Sequence, residues 1–87
     1  MDNIEFSYSE NYISIKDDND KMIAYVYYVE NDKDTVTILK TYVGEELRGQ
    51  GIAKKIMEAS LTYLKERYQN INATCSYAIS YIEKYGY

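Results

Sequence analysis

The residues from Leu47 to Lys55, reading LRGQGIAKK, have the make-up of an anion cradle. Two glycines, Gly49 and Gly51, stand where a β-rich segment gives way to a helical one. A helix N-terminus presents backbone N–H groups that no preceding carbonyl satisfies, and it carries partial positive charge. Glycine there lets an anion approach without a Cβ in the way. Arg48, Lys54 and Lys55 add formal charge, which suits a pyrophosphate or another phosphate ester. The plainer alternative is a flexible start to a helix, for which two glycines suffice. Other phosphate loops do not fit. A Walker loop places Lys and then Ser or Thr directly after its last glycine, where Ile52 and Ala53 stand here. The dinucleotide fingerprint needs three spaced glycines after the first strand of a parallel unit.

Other catalytic chemistry is narrow. The chain has no histidine and a single cysteine, Cys75. That removes histidine-assisted serine and cysteine mechanisms, imidazole ligation and a histidine pH switch. One cysteine makes neither an intrachain disulfide nor a thiolate zinc site, so no metal is expected.

The elements that must position the loop follow from periodicity. Ile4, Phe6 and Tyr8 alternate with polar residues, and Tyr12 to Lys16 alternates again around Ile13 and Ile15, giving two short strands. Asp17, Asp18, Asn19 and Asp20 form a turn signal. Met22 to Val29 is apolar at both parities, as in a central strand. After a polar turn at Asn31 to Asp34, the Thr-rich run Thr35 to Val43 makes a fourth strand. Turns this short predict an antiparallel meander. From Gly51 to about Tyr68 the spacing of Ile52, Ile56, Ala59 and Tyr63, flanked by Ala53, Met57 and Leu64, is helical. Ile71 to Cys75 reads as a fifth strand. Ala78 to Tyr85 reads as a short helix capped by Ser76 or Ser80. A strand, a long helix and a strand predict a crossover that sets the fourth and fifth strands parallel. The expected fold is therefore α+β, one domain over residues 1–87, with a mixed sheet of five strands in the order ββββ, α, β, α.

The stretch from Thr41 to Ala53 resembles the coenzyme A loop of the GNAT acetyltransferase superfamily. That loop reads Arg or Gln, two residues, Gly, one residue, then Gly or Ala; Arg48, Gly51 and Ala53 match. The likeness extends over the whole chain to a small single-domain subgroup. It includes Thr41 and Val43 before the loop and a strand ending at Cys75, followed by Tyr81, Ile82 and Glu83. The resemblance implies acetyl-CoA as co-substrate, with its pyrophosphate on backbone N–H groups from Arg48 through Gly49, Gln50, Gly51 and Ile52 to Ala53, beside Lys54. Pantetheine would run along Thr41, Tyr42 and Val43, where a splay between the fourth and fifth strands would leave an open edge for its amides. It also implies direct attack of an acceptor amine on the thioester, aided by a backbone N–H at the carbonyl oxygen. Two residues depart from the subgroup. Lys40 stands where histidine is common, which excludes a histidine base, and Ser76 stands where proline often follows the cysteine.

Within this frame Cys75, at a strand end facing a helix start, could accept acetyl from the coenzyme and pass it on. The structural alternative is a small buried hydrophobe. Glu45 and Glu46 are candidates for a base acting through water, or else are solvated charges serving the helix dipole. Tyr77 and Tyr81 are candidates for proton donation to the leaving thiolate, or else are packed.

Composition is that of an ordinary globular protein, with 46% hydrophobic and 28% charged residues. The net charge of −4 argues against nucleic acid as the main partner. Charge is uneven: residues 1–40 carry nine acids against four lysines, whereas residues 41–87 carry five acids against six bases. An anionic ligand therefore belongs to the second half. No apolar run approaches the roughly 20 residues that span a bilayer, and the acidic start lacks a signal-peptide pattern. A cytoplasmic enzyme acting on an amine of a small molecule or protein is expected, without a membrane partner. A CoA-binding or acyl-CoA-binding module without turnover is the rival. The twelve tyrosines are expected mostly to pack their rings on sheet faces with wet hydroxyls.

Overall fold

A computed structural model describes residues 5–86, so the Ile4 end of the first expected strand lies outside the described residues. Five strands form one sheet in chain order: β1 (Ser7–Tyr8), β2 (Tyr12–Lys16), β3 (Met22–Asp32), β4 (Thr35–Val43) and β5 (Asn70–Ala73). The first four make the expected antiparallel meander, and β5 lies parallel to β4. Between β4 and β5 come a short 3₁₀ turn (Glu45–Leu47) and α1 (Ile52–Arg67); α2 (Ser76–Tyr85) closes the order.

The β2–β3 and β3–β4 turns are built by aspartate. Asp17 Oδ1 accepts the N–H groups of Asn19 at 2.9 Å and Lys21 at 3.0 Å. Asp32 Oδ1 accepts that of Asp34 at 2.8 Å. The second turn is tighter than its polar stretch suggests, because Asp32 still pairs with Thr35 and β3 runs three residues beyond Val29. Such local carboxylate to N–H bonds are what favour aspartate in turns.

One sheet face carries the core. Ile13 and Ile15 from β2, Ala24, Val26 and Tyr28 from β3, and Val36 and Ile38 from β4 are all buried. They meet Ile52, Ile56, Met57, Leu61 and Leu64 of α1. The buried stripe of α1 is rotated from the one expected around Ala59 and Tyr63, which are only half-buried, towards Ser60 and Leu61. Ser60 is tolerated there because its hydroxyl donates to the Ile56 carbonyl at 2.7 Å. On the opposite face Tyr12, Tyr25, Tyr27 and Tyr42 pack ring against ring, with centroids 5.0 to 5.5 Å apart. Tyr8 stacks at 4.5 Å on Tyr63, whose other neighbour is the Arg67 guanidinium at 3.7 Å, which ties β1 to α1.

Two expectations for the C-terminal part are corrected. β5 ends at Ala73, not Cys75, and α2 begins at Ser76 with Cys75 itself in the N-cap position. Neither Ser76 nor Ser80 caps it; Ser76 is already helical and Ser80 lies inside the helix. Parallel pairing with β4 stops at Ile38 and Ala73, and the N–H of Thr74 closes the ladder on the Ile38 carbonyl at 3.0 Å. Beyond that point the chain is free to turn.

Candidate functional site

The site begins with an irregularity in β4. Tyr27 pairs with Lys40 but Tyr28 pairs with Ile38, so Leu39 is an extra residue, a β-bulge. The bulge reverses side-chain parity. Val36 and Ile38 face the core before it; after it Thr41 and Val43, paired with Val26 and Ala24, face the same side. It also falls where β5 leaves the ladder. From Lys40 to Val43 the strand is paired with β3 on one side, and from Leu39 onwards β5 has no register partner for it on the other. The expected splay is therefore present, as an exposed strand edge five residues long.

That edge leads directly into the glycine loop. The Gly44 N–H donates to the Ile23 carbonyl at 2.8 Å, and Leu47, 4% exposed, anchors the 3₁₀ turn in the core. The Arg48 side chain folds back so that its Nε donates to the Val43 carbonyl at 3.3 Å. Gln50 Nε2 likewise donates to the Glu46 carbonyl at 3.0 Å. These two side chains brace the loop. Gly49 and Gly51 have φ of +82° and +73°, a region costly for residues with a Cβ, and at neither would a Cβ meet an atom within 4 Å. Gly51 is the N-cap of α1, and the first helical bond runs from the Lys55 N–H to the Gly51 carbonyl. The N–H groups of Ile52, Ala53 and Lys54 thus open the helix with no side chain capping them. Val43, Leu47, Arg48, Gly49, Gly51, Ile52 and Ala53 line a hollow of about 280 Å³ in front of them.

Beside the middle of the open edge, at Thr41, sits Cys75. Its Sγ lies 3.6 Å from the Thr41 Oγ1, close enough for a weak S–H···O bond. Burial pushes the thiol pKa up, but the N–H of Ala78, the Thr41 hydroxyl, and the backbone of Tyr77 and Thr41 more than offset this. The net shift is downwards from 9.0. A thiol at a helix N-cap, half-buried beside a hydroxyl, has the setting that favours thiolate.

The expected residues are distributed unevenly. Thr41 and Val43 turn towards the helices, whereas the Tyr42 ring stacks on Tyr25 across the far face at 5.3 Å and leaves only its backbone on the edge. Glu45 and Glu46 are exposed in the first turn of the 3₁₀ segment. Tyr81 is packed, 7% exposed, but Tyr77 is 38% exposed. Lys54 points away from the hollow into a second groove of about 230 Å³, which it shares with Tyr77, Ser80, Tyr81, Lys84 and Tyr85. In that groove burial pushes the Tyr77 hydroxyl up, Tyr85 adds to the rise and Lys54 opposes it. Sequence reasoning missed Lys84 and Tyr85. The signal was their i, i+1 place at the end of α2, which acquires meaning only with Lys54 opposite. Among the described residues no group of three or more His, Cys, Asp or Glu could hold a metal, and no helix is long and apolar enough to cross a membrane.

A bulged fourth strand, a parallel fifth strand splaying from it and a glycine loop opening the intervening helix define an acetyltransferase-type architecture. The chain belongs to the GCN5-related N-acetyltransferase family, whose sequence model matches residues 11–87. The chain is similar to a GCN5-like candidate N-acetyltransferase from Staphylococcus aureus, at 36% identity over 97% of this chain and 82% of that one, with a TM-score of 0.74. A candidate acetyltransferase from Deinococcus radiodurans shares the fold at 18% identity (TM-score 0.65, 87% of this chain and 53% of that one). So does a ribosomal-protein-alanine N-acetyltransferase from Brucella melitensis at 18% (TM-score 0.57, 74% and 48%). No curated protein matches the sequence.

Proposed function

We propose that the protein transfers an acetyl group from acetyl-CoA to an amine. One observation carries the reading: the free edge of β4 from Leu39 to Val43 passes Cys75 at Thr41 and leads to an uncapped helix N-terminus. A pyrophosphate fits the N–H groups around Gly51, Ile52 and Ala53, where the helix dipole favours an anion and the glycines admit it. Pantetheine amides can pair with the strand edge as an added strand would. That leaves the thioester beside Leu39 and Thr41, near Cys75.

Two routes suit this geometry. In the direct route the amine attacks the acetyl carbonyl and CoA leaves as thiolate, with a bulge N–H stabilising the oxyanion. In the relayed route the Cys75 thiolate attacks the same carbonyl and displaces CoA thiolate. The amine then attacks the Cys75 thioester and the Cys75 thiolate leaves. The depressed thiol pKa and the Thr41 contact favour the second. Tyr77, kept protonated by its raised pKa, is the α2 hydroxyl assigned to give a proton to a leaving thiolate.

Calorimetric titration with acetyl-CoA, against CoA and ATP, tests the binding half of this reading; release of free thiol dependent on an added amine tests the transfer. Preference for acetyl-CoA over ATP with amine-dependent thiol release supports the transferase. Binding with no release under any amine supports a CoA-binding module without turnover. No binding by the folded protein overturns the reading.

A further inference from the structure

We propose that Lys40 is a self-acetylation site, its amine taking the acetyl group of acetyl-CoA bound to the same chain. The inference rests on the coenzyme reading above. Lys40 directly follows the Leu39 bulge, so its backbone lies between Leu39 and Thr41, the two residues that flank the acetyl group in that reading. Its side chain stands on the tyrosine face: Lys40 is in register with Tyr27 and two residues before Tyr42, and both of those rings belong to that face. Lys40 is exposed there, because both helices bury their apolar residues in the core on the opposite face. A ligand paired with the open edge occupies a strand position about 4.8 Å from β4. A lysine arm of five single bonds reaches about 6 Å from its Cα, so the amine can fold over the edge to the thioester carbonyl. β5 leaves that path open, since its pairing ends at Ala73 opposite Ile38.

Other lysines are engaged elsewhere. Lys16 Nζ lies 3.8 Å from the Asp20 carboxylate, which is the ion pair among the described residues. Lys54 and Lys84 each sit 5.5 Å from the centroid of the Tyr85 ring. An amine held beside a carbonyl acts at an effective concentration far above that of a free amine, which singles out the lysine of β4. In the step, the Lys40 ammonium first loses a proton to solvent. Nζ then attacks the acetyl carbonyl carbon; the C–N bond forms, the C–S bond breaks, and CoA leaves as thiolate. Loss of a second proton to solvent leaves a neutral amide, so the chain gives up one positive charge per acetyl group.

The test incubates the full chain with acetyl-CoA and no added amine, and follows intact mass, released thiol and the proteolytic peptides. The chain should gain one acetyl group, about 42 Da, on the peptide that holds Lys40, with one thiol released per acetyl. The label should resist neutral hydroxylamine, which strips acetyl from a cysteine thioester. At saturating acetyl-CoA the rate constant should not change with protein concentration, because the amine and the bound coenzyme belong to one chain. Lys40→Arg should lower the rate at least about tenfold while binding acetyl-CoA within about twofold of the unmodified chain. Acetyl spread evenly over the lysines, the same rate in the urea-unfolded chain, or a hydroxylamine-labile label on Cys75 alone each overturns the Lys40 site, and calorimetric binding of acetyl-CoA then leaves the coenzyme reading standing. Failure of the folded chain to bind acetyl-CoA overturns both.

Discussion

Replacing Gly51 with aspartate or asparagine separates the charge of the cradle from its shape. Gly51 has φ +73° and ψ 17°, and a Cβ there would meet nothing within 4 Å. The cost to folding is then that of the left-handed conformation alone, about 1 kcal/mol and less for Asn or Asp than for other residues. Both variants should fold, with melting temperatures close to each other. Their ligand binding should differ. A carboxylate about 5 Å from a phosphate charge costs about 3 kcal/mol at an effective dielectric of about 20, and solvent in this open hollow reduces that by about half. The aspartate variant should therefore bind acetyl-CoA at least about tenfold more weakly than the asparagine variant, and the gap should narrow as salt is raised. Calorimetry at two ionic strengths reads both effects. Equal affinities for the two variants at low salt would refute an anion at this helix start.

Three further outcomes are expected. The rate of Cys75 alkylation by iodoacetamide should have its midpoint below pH 9.0, and Thr41→Val should move it upwards; because the folded pKa lies below the unfolded one, the linked stability is present at high pH and fades as pH falls through the folded value. Leu61, fully buried, should cost 2 to 5 kcal/mol on truncation to alanine, roughly half the stability of a domain this size, and a urea midpoint shift worth less than about 1 kcal/mol would remove it from the core. The Tyr68 hydroxyl donates to Glu30 at 2.6 Å and its pKa is pushed up to about 12, chiefly by that bond. The linked stabilisation is intact below pH 10 and lost as pH rises towards 12. Ultraviolet titration should show a late-ionising group of tyrosines, and Tyr68→Phe should remove one of them.

Much of the fold was legible because its signals are local. The alternation in Tyr12–Lys16 and Thr35–Val43 matches the strand bounds, and the change of period at Gly51 marks the start of α1 to within a residue. Boundaries failed where a local signal was weak. Thr74 and Cys75 look β-like in composition, but the ladder stops after the Thr74 N–H meets the Ile38 carbonyl, because β4 bulges at Leu39 and offers β5 no further register. The loop motif was readable from its glycines and basic residues.

What the chain by itself determined is a βββ-β-α-β-α order, a basic glycine-rich helix start, and a lone cysteine near the second helix. These depend on residues close in sequence. Tertiary structure alone decided that Leu39 bulges, that Thr41 consequently turns towards Cys75 thirty-four positions away, and that Tyr42 does not. It alone brought Lys54 and Lys84 to one tyrosine ring. Strand register and helix docking set those contacts, and both are settled by burial of the shared core between elements far apart in the chain.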